Sequence, residues 1–345
     1  MIKRIALIVA LSGVVGVSLA SAGRPTYAWH DTATGSAARL RGVAAVSSTT
    51  AWASGSLGTV LRTTDRGATW QQVGPPGTED LQFRDIEAFE ANHAVILSIG
   101  GATDSRIYVT ADGGATWNLT FVNQEPTAFY DCMTFFDSRR GLALSDPPDG
   151  QHFRVIATED GGLTWHVTGL QMPSALPGEF AFAASGQCIT TDHGHRAWFA
   201  TGGGAQARVF RSDDRGVSWT VAPTPIASGP SAGIFALAFN GQQHGLAVGG
   251  DFLLPTASPD NFAHTSDGGS SWQLLPGAPP EYRSGAAWLN GNTALAVGPS
   301  GSDFSQDAGT TWQRFDDGSL DTVDCARPTA CWAAGANGRV AYLVR

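Results

Sequence analysis

The stretch Thr63-Thr64-Asp65-Arg66-Gly67-Ala68-Thr69-Trp70 recurs, with small changes, at Thr110–Trp117, Thr158–Trp165, Ser212–Trp219, Thr265–Trp272 and Ser305–Trp312. The shared pattern is Ser/Thr-x-Asp-x-Gly-x-Ser/Thr-Trp. Its aspartates, Asp65, Asp112, Asp160, Asp214, Asp267 and Asp307, lie 47, 48, 54, 53 and 40 residues apart. A motif returning at that period marks a repeat architecture built from small supersecondary units. Turn chemistry explains its composition. The carboxylate accepts N–H groups of its own turn, glycine supplies a positive φ, and the Trp ring plugs the apolar space beneath. These six aspartates are therefore expected to be structural. The spacing lacks the alternating oxygen ligands of a calcium loop, so no metal is expected.

Working outward, each copy follows the same plan. An apolar strand comes first, as in Asp85–Phe89, Cys132–Phe136, Ile234–Phe239 and Gly285–Leu289. A second, small-residue strand follows, as in Ala51–Ser54 and Ala94–Ile99, and a third runs into the motif, as in Val60–Thr63 and Ile107–Thr110. A fourth strand leaves the tryptophan, as in Trp70–Val73. Four antiparallel strands per unit, repeated radially, make an all-β propeller. After the sixth motif, Cys331-Trp332-Ala333-Ala334-Gly335…Gly338-Arg339-Val340 echoes Ala51-Trp52-Ala53-Ser54-Gly55…Gly58-Thr59-Val60, but no motif follows. The alternating stretch Tyr27–His30 supplies the missing outer strand. Seven blades, closed by an N-terminal strand that completes the last blade, are expected. Six blades with an edge hairpin are the alternative.

The first residues read as a secretory signal. Lys3 and Arg4 precede the apolar run Ile5–Leu19, and Ala20-Ser21-Ala22 is a small-residue cleavage pattern. Residues 1–22 are assigned to the signal and 23–345 to a single propeller domain, exported to the periplasm or secreted. An uncleaved anchor is the weaker reading, because the run is short for a span. Lys3 is the sole lysine, so the mature chain carries 19 arginines against 30 acids, a net charge of −11. That balance argues against nucleic acid and anionic membranes as partners, and the missing lysine excludes Schiff-base chemistry. Four cysteines suit an oxidising compartment. Cys325 and Cys331 are expected to bridge a hairpin. Cys132 and Cys188 either pair between adjacent repeats or stay buried and reduced.

Propeller chemistry sits near the central channel. Candidate ligand-binding residues entering the first strands are Arg41, Arg84, Asp85, Tyr130, Asp131, Glu179 and Arg283, with Ser284 and Asp324 beside them. Between second and third strands, Asp146…Asp149…His152, Asp192-His193-Gly194-His195, Asp251–Asn261 and Asp303 are read as insertions. Arg41, Arg84 and Arg283 together suit a carboxylate or sulfate. Asp146, Asp149 and His152 are the weak catalytic candidates, for acid–base work. No Gly-x-Ser-x-Gly elbow, phosphate loop or dinucleotide fingerprint is present, and no cofactor is expected. A carboxylate pair acting on a glycosidic bond is the enzymatic route left open.

The eight-residue motif resembles the Asp-box, or BNR, repeat of sialidases, some xyloglucan-cleaving glycosidases and sortilin-type receptors. A sialidase is disfavoured, since the Phe/Tyr-Arg-Ile-Pro motif is absent. The fuller blade phrasing, Ala51–Val60 with Thr63–Trp70 and its echo at Cys331–Val340, resembles the photosystem II stability/assembly factor family, in particular its bacterial relatives outside photosynthesis. That resemblance implies a seven-bladed propeller binding other proteins during membrane-complex assembly, with an arginine-rich surface for which Arg41, Arg84 and Arg283 are the candidates; a monomer is expected. The expected function is thus an exported, non-catalytic propeller that binds a protein or envelope polymer. The alternative is a carbohydrate-active hydrolase or lyase using channel carboxylates.

Overall fold

The computed structural model describes residues 27–326 and 330–345; the signal assigned to residues 1–22 lies outside them. Seven four-stranded antiparallel sheets follow one another along the chain. Their first strands are Leu40–Ala45, Gln82–Ala88, Tyr130–Phe135, Ile189–Thr191, Ala232–Asn240, Gly285–Trp288 and Thr322–Ala326. Each first strand packs against those of the two neighbouring sheets, and the last meets the first. The fold is therefore a closed seven-bladed β-propeller, with first strands innermost, and the six-bladed alternative falls away.

Closure comes from the N-terminal strand Ala28–Thr32, which pairs antiparallel with Val340–Val344 and completes blade 7. Ring closure removes the exposed edges that an open array would present. Side chains reinforce the seam. The Trp29 indole donates to Ser302 Oγ in blade 6 at 3.0 Å, and Trp70 of blade 1 donates to Thr32 Oγ1 at 3.1 Å. Among the described residues, no helix is long and apolar enough to cross a membrane.

Each repeated motif forms the turn between third and fourth strands. In blade 1, Thr63 Oγ1 donates to Asp65 Oδ1 at 2.8 Å and accepts from Gly67 N at 2.9 Å. Asp65 Oδ1 accepts from Thr69 N and Oδ2 from Thr69 Oγ1, at 2.9 and 2.6 Å. The same bonds to aspartate recur at Asp112, Asp160, Asp214, Asp267 and Asp307. At Asp65 and Asp112 the hydroxyl donors lead in holding the carboxyl below its usual range. The tryptophan lies in the turn rather than in the fourth strand, which shortens that strand to Gln71–Gln72 in blade 1. Its ring meets other aromatics near the blade seams: Trp70 sets edge-on to Trp332 of blade 7 at 5.9 Å, and Trp117 to Trp52 of blade 1 at 6.4 Å.

Both cysteine pairs are disulfides. Cys325–Cys331 bridges directly opposed residues of the first hairpin of blade 7. Cys132–Cys188 joins the first strand of blade 3 to the residue preceding the first strand of blade 4.

Candidate functional site

Four first strands carry a bulge at one point near their start. The register slips between Leu40 and Gly42, Phe83 and Asp85, Tyr130 and Cys132, and Ile234 and Ala236. The bulged residues are Arg41, Arg84, Asp131 and Phe235. A bulge leaves one residue out of the ladder and re-aims its side chain. Arg41, Arg84 and Phe235 consequently line a cavity of about 360 Å³ together with Arg39, Phe182, Phe252 and Tyr282.

The floor of this cavity is a segment that crosses the channel. Blade 3 ends at Thr168 and the first strand of blade 4 begins at Ile189, and the connection between them runs inward. Ala183 O accepts from Arg84 Nη1 at 2.6 Å, and Ala184 O from Arg41 Nη1 at 3.1 Å. Ser185 O accepts from Thr322 Oγ1 in blade 7. The Gln187 amide donates to Ala286 O and Val323 O, and its oxygen accepts from Ala286 N. One glutamine thus reads the backbones of blades 6 and 7, and the segment plugs the channel.

The three arginines are not equivalent. Arg39 makes a bidentate pair with Asp321 at 2.8 and 2.7 Å. Arg41 and Arg84 contact only carbonyl and amide oxygens, and Arg84 Nε is buried with no partner. Burial, then repulsion from Arg41 and Arg39, lowers the Arg84 guanidinium to about 10; Arg41 is lowered by burial first as well. Two desolvated cations beside one carboxylate leave a surplus of positive charge, which an incoming anion relieves. Across the cavity, Phe182 stacks on Phe235 with centroids 3.9 Å apart, and Tyr282 meets Phe235 edge-on at 4.7 Å. Phe252, 46% exposed, caps both phenylalanines and begins the exposed run Phe252-Leu253-Leu254. The mouth offers a cationic wall facing an aromatic one.

Other sequence candidates lie elsewhere. Arg283 is fully buried and gives every guanidinium nitrogen to a partner: Asp303 at 2.8 and 2.6 Å, Glu281, Ser300 and the Tyr282 carbonyl. It does not join Arg41 and Arg84. Asp303 sits inside the third strand of blade 6, Gly301–Ser305, and not in an insertion. Glu179 is buried against Arg208, whose Nε donates to it at 2.8 Å. Tyr130 packs in the blade 2–blade 3 core, its hydroxyl pushed up to about 12 by burial. Asp251 caps Leu253 N at 2.9 Å, so its loop contributes to the mouth through Phe252 and Pro255. Asp192–His195 connects the first and second strands of blade 4, because that first strand is only three residues long.

Asp146, Asp149 and His152 do not form one constellation. Asp149 and His152 make an exposed side-chain hydrogen bond at 2.9 Å beside a surface hollow lined by Arg154 and Leu170. Asp146 turns inward. Its Oδ1 accepts from Ala181 N at the start of the plug, and its carboxyl lies beside the buried Asp131 carboxyl. The second Asp131 oxygen has no partner. Desolvation raises both, Asp146 to about 7, while Arg84 draws Asp131 downward. An acid whose folded-state value is raised confers stability that is complete below about pH 4 and is lost as pH rises to about 7. Asp146→Asn keeps the acceptor and supplies an N–H for Asp131. Urea titrations at pH 4 and pH 7 are expected to show the wild type losing about 2 kcal/mol more than this variant. Equal losses would remove Asp146 as the titrating group.

No family model matches the chain, and no curated protein matches it. Solved structures do. The chain superposes on "YCF48 bound to D1 peptide" with a TM-score of 0.68 and 15% identity, over 92% of this chain and 97% of that one. YCF48 from Cyanidioschyzon merolae gives 0.65 and 14%, over 91% and 98%. The WD40 β-propeller domain of Doa1 gives 0.62 and 13%, over 92% and 97%. The likeness is one of fold. Residues that sequence reasoning passed over, Arg39, Phe182, Phe235 and Tyr282, complete the mouth with Phe252 of the Asp251–Asn261 segment. The long connection after Thr168 was the available signal for Phe182, since a loop exceeding its connecting role is usually functional.

Proposed function

We propose that this protein is an exported, non-catalytic propeller that captures a segment of another protein at the arginine mouth, in the manner of an assembly factor. The carrying observation is the buried, unpartnered Arg84 Nε beside Arg41, neither in an ion pair, opposite the Phe182–Phe235–Phe252 wall. That pairing suits a peptide carboxylate next to an apolar side chain. A cavity of about 360 Å³ has the size of a small-ligand or short-peptide pocket. The structural neighbour bound to a D1 peptide supports a propeller in a protein-binding role. The two disulfides suit export to an oxidising compartment.

The test is an array of acidic and neutral peptides probed with the purified protein, followed by fluorescence anisotropy on the best binder. Binding is expected to need both a carboxylate and an adjacent apolar residue, and to weaken with salt. Arg84→Ala and Phe235→Ala should each weaken it about 10- to 100-fold, the loss of one charge-assisted contact or one aromatic anchor. Selection of uncharged peptides, or unchanged affinity in Arg84→Ala, would refute the reading.

A further inference from the structure

Farther along the first strands, beyond the plug, lies a second cavity of about 150 Å³ with the opposite character. Asp85 and Glu87 of blade 2 and Asp324 of blade 7 reach it, and no arginine lines it. Asp85 accepts from Met133 N of blade 3 at 2.6 Å, and Asp324 from Ala45 N of blade 1 at 2.8 Å. These bonds tie neighbouring blades but bring no positive charge. The Glu87 side chain makes no hydrogen bond among the described residues. It repels both aspartates, and burial followed by that repulsion pushes its carboxyl well above the usual range. The one basic side chain lining it is His193, which is exposed.

A second observation is independent of the carboxylates. Ser185, on the plug, lines the same cavity, is 3% exposed, and its hydroxyl has no hydrogen-bond partner. Buried polar groups are rarely left unpaired, and each such group asks what satisfies it. The plug also comes close by design: a Cβ on Gly186, at φ +75°, would sit 2.4 Å from the Asp85 carboxylate. Leu237 and Ile189 supply an apolar side to the cavity. No group of three acidic, histidine or cysteine side chains among the described residues converges as a metal site. The positive charge that fits must therefore be spread, or carried on a chain.

We propose that this cavity is a binding site for a cationic alkyl group, an ammonium or guanidinium on a short aliphatic stem, held by Glu87, Asp85 and Asp324 with Ser185 as acceptor and Leu237 along the stem. Such a group arises either as a free small amine or as the lysine or arginine side chain of a docked protein. The side chains that hold it are none of those lining the arginine mouth.

Isothermal titration of the full chain with ethylammonium, ethylguanidinium and N-acetyl-lysine amide, at constant ionic strength, tests it. One-to-one saturable binding of at least one probe is expected, weakened at least tenfold in Glu87→Gln. Ser185→Val, which removes the hydroxyl and fills space, should weaken it as well, giving a second variant should the first perturb folding. Preference for the two free cations indicates a small amine, and preference for the lysine derivative indicates a docked side chain. The proposal is overturned if no probe saturates, if sodium or calcium competes equally, or if Glu87→Gln and Ser185→Val bind like the wild type.

Discussion

Replacing Arg283 by methionine is expected to cost about 3–5 kcal/mol of unfolding free energy, because it strands a buried charge. The Arg283 guanidinium is inaccessible and neutralises Asp303, whose side chain is 3% exposed, while also touching Glu281. Once it is gone, Asp303 has no cation within the blade except Arg314, which is already paired with Glu281 and Asp317. Desolvation holds the Asp303 carboxyl above its usual range even with Arg283 present, so without it the group should take up a proton. The deficit should therefore shrink in acid. Urea denaturation from pH 4 to pH 8 is the measurement. Adding Asp303→Asn should recover a large part of the loss at pH 7, since breaking a buried pair costs more than replacing both members. A deficit below 1 kcal/mol, or one independent of pH, would show that water reaches Asp303.

Removing the Cys132–Cys188 bridge, by serine at both positions, should cost about 4 kcal/mol in a chain-entropy account of the 56-residue separation it closes. The Cys325–Cys331 bridge, with a separation of 6, should cost about half as much. The two losses should also differ in kind. Cys188 ends the plug, directly after Gln187, whose amide meets blades 6 and 7. Freeing it is expected to loosen the carbonyls of Ala183 and Ala184 beneath Arg84 and Arg41, and so to weaken peptide binding at the mouth. The Cys325/Cys331 variant should leave that binding intact. Thermal unfolding of each variant, with peptide anisotropy on the same samples, separates the contributions. Equal melting temperatures for both variants would mean that the plug, and not the covalent loop, determines stability.

The ring was legible because its signals are local. A turn motif that closes its own hydrogen bonds must look alike in every blade, as at Asp65 and Asp307. The missing seventh motif pointed to closure through Trp29, and the strand Ala28–Thr32 supplies it. The site was less legible because its signals are not local. Arg41, Arg84 and Arg283 look alike in sequence. Which of them is free depends on a carboxylate elsewhere: Asp303, two strands away, silences Arg283, and nothing comparable meets Arg84. The bulges that aim Arg84 and Phe235 are one-residue slips, invisible to a two-residue alternation. Phe182 reaches the mouth only because its connection turns into the channel, and no residue pattern states that direction.

The closure strand also sets a schedule for the molecule. Thr32 bonds to Val340, 308 residues later, so the strand around Trp29 emerges first and waits unpaired while all seven inner strands are made. Contacts of such separation are slow to form, and unsealed sheet edges invite pairing with other chains. A nascent chain halted before Val340 would therefore carry two open edges, one on each side of the gap. Synthesis of Val340–Val344 is then the event that turns a sticky, open row of blades into a sealed ring.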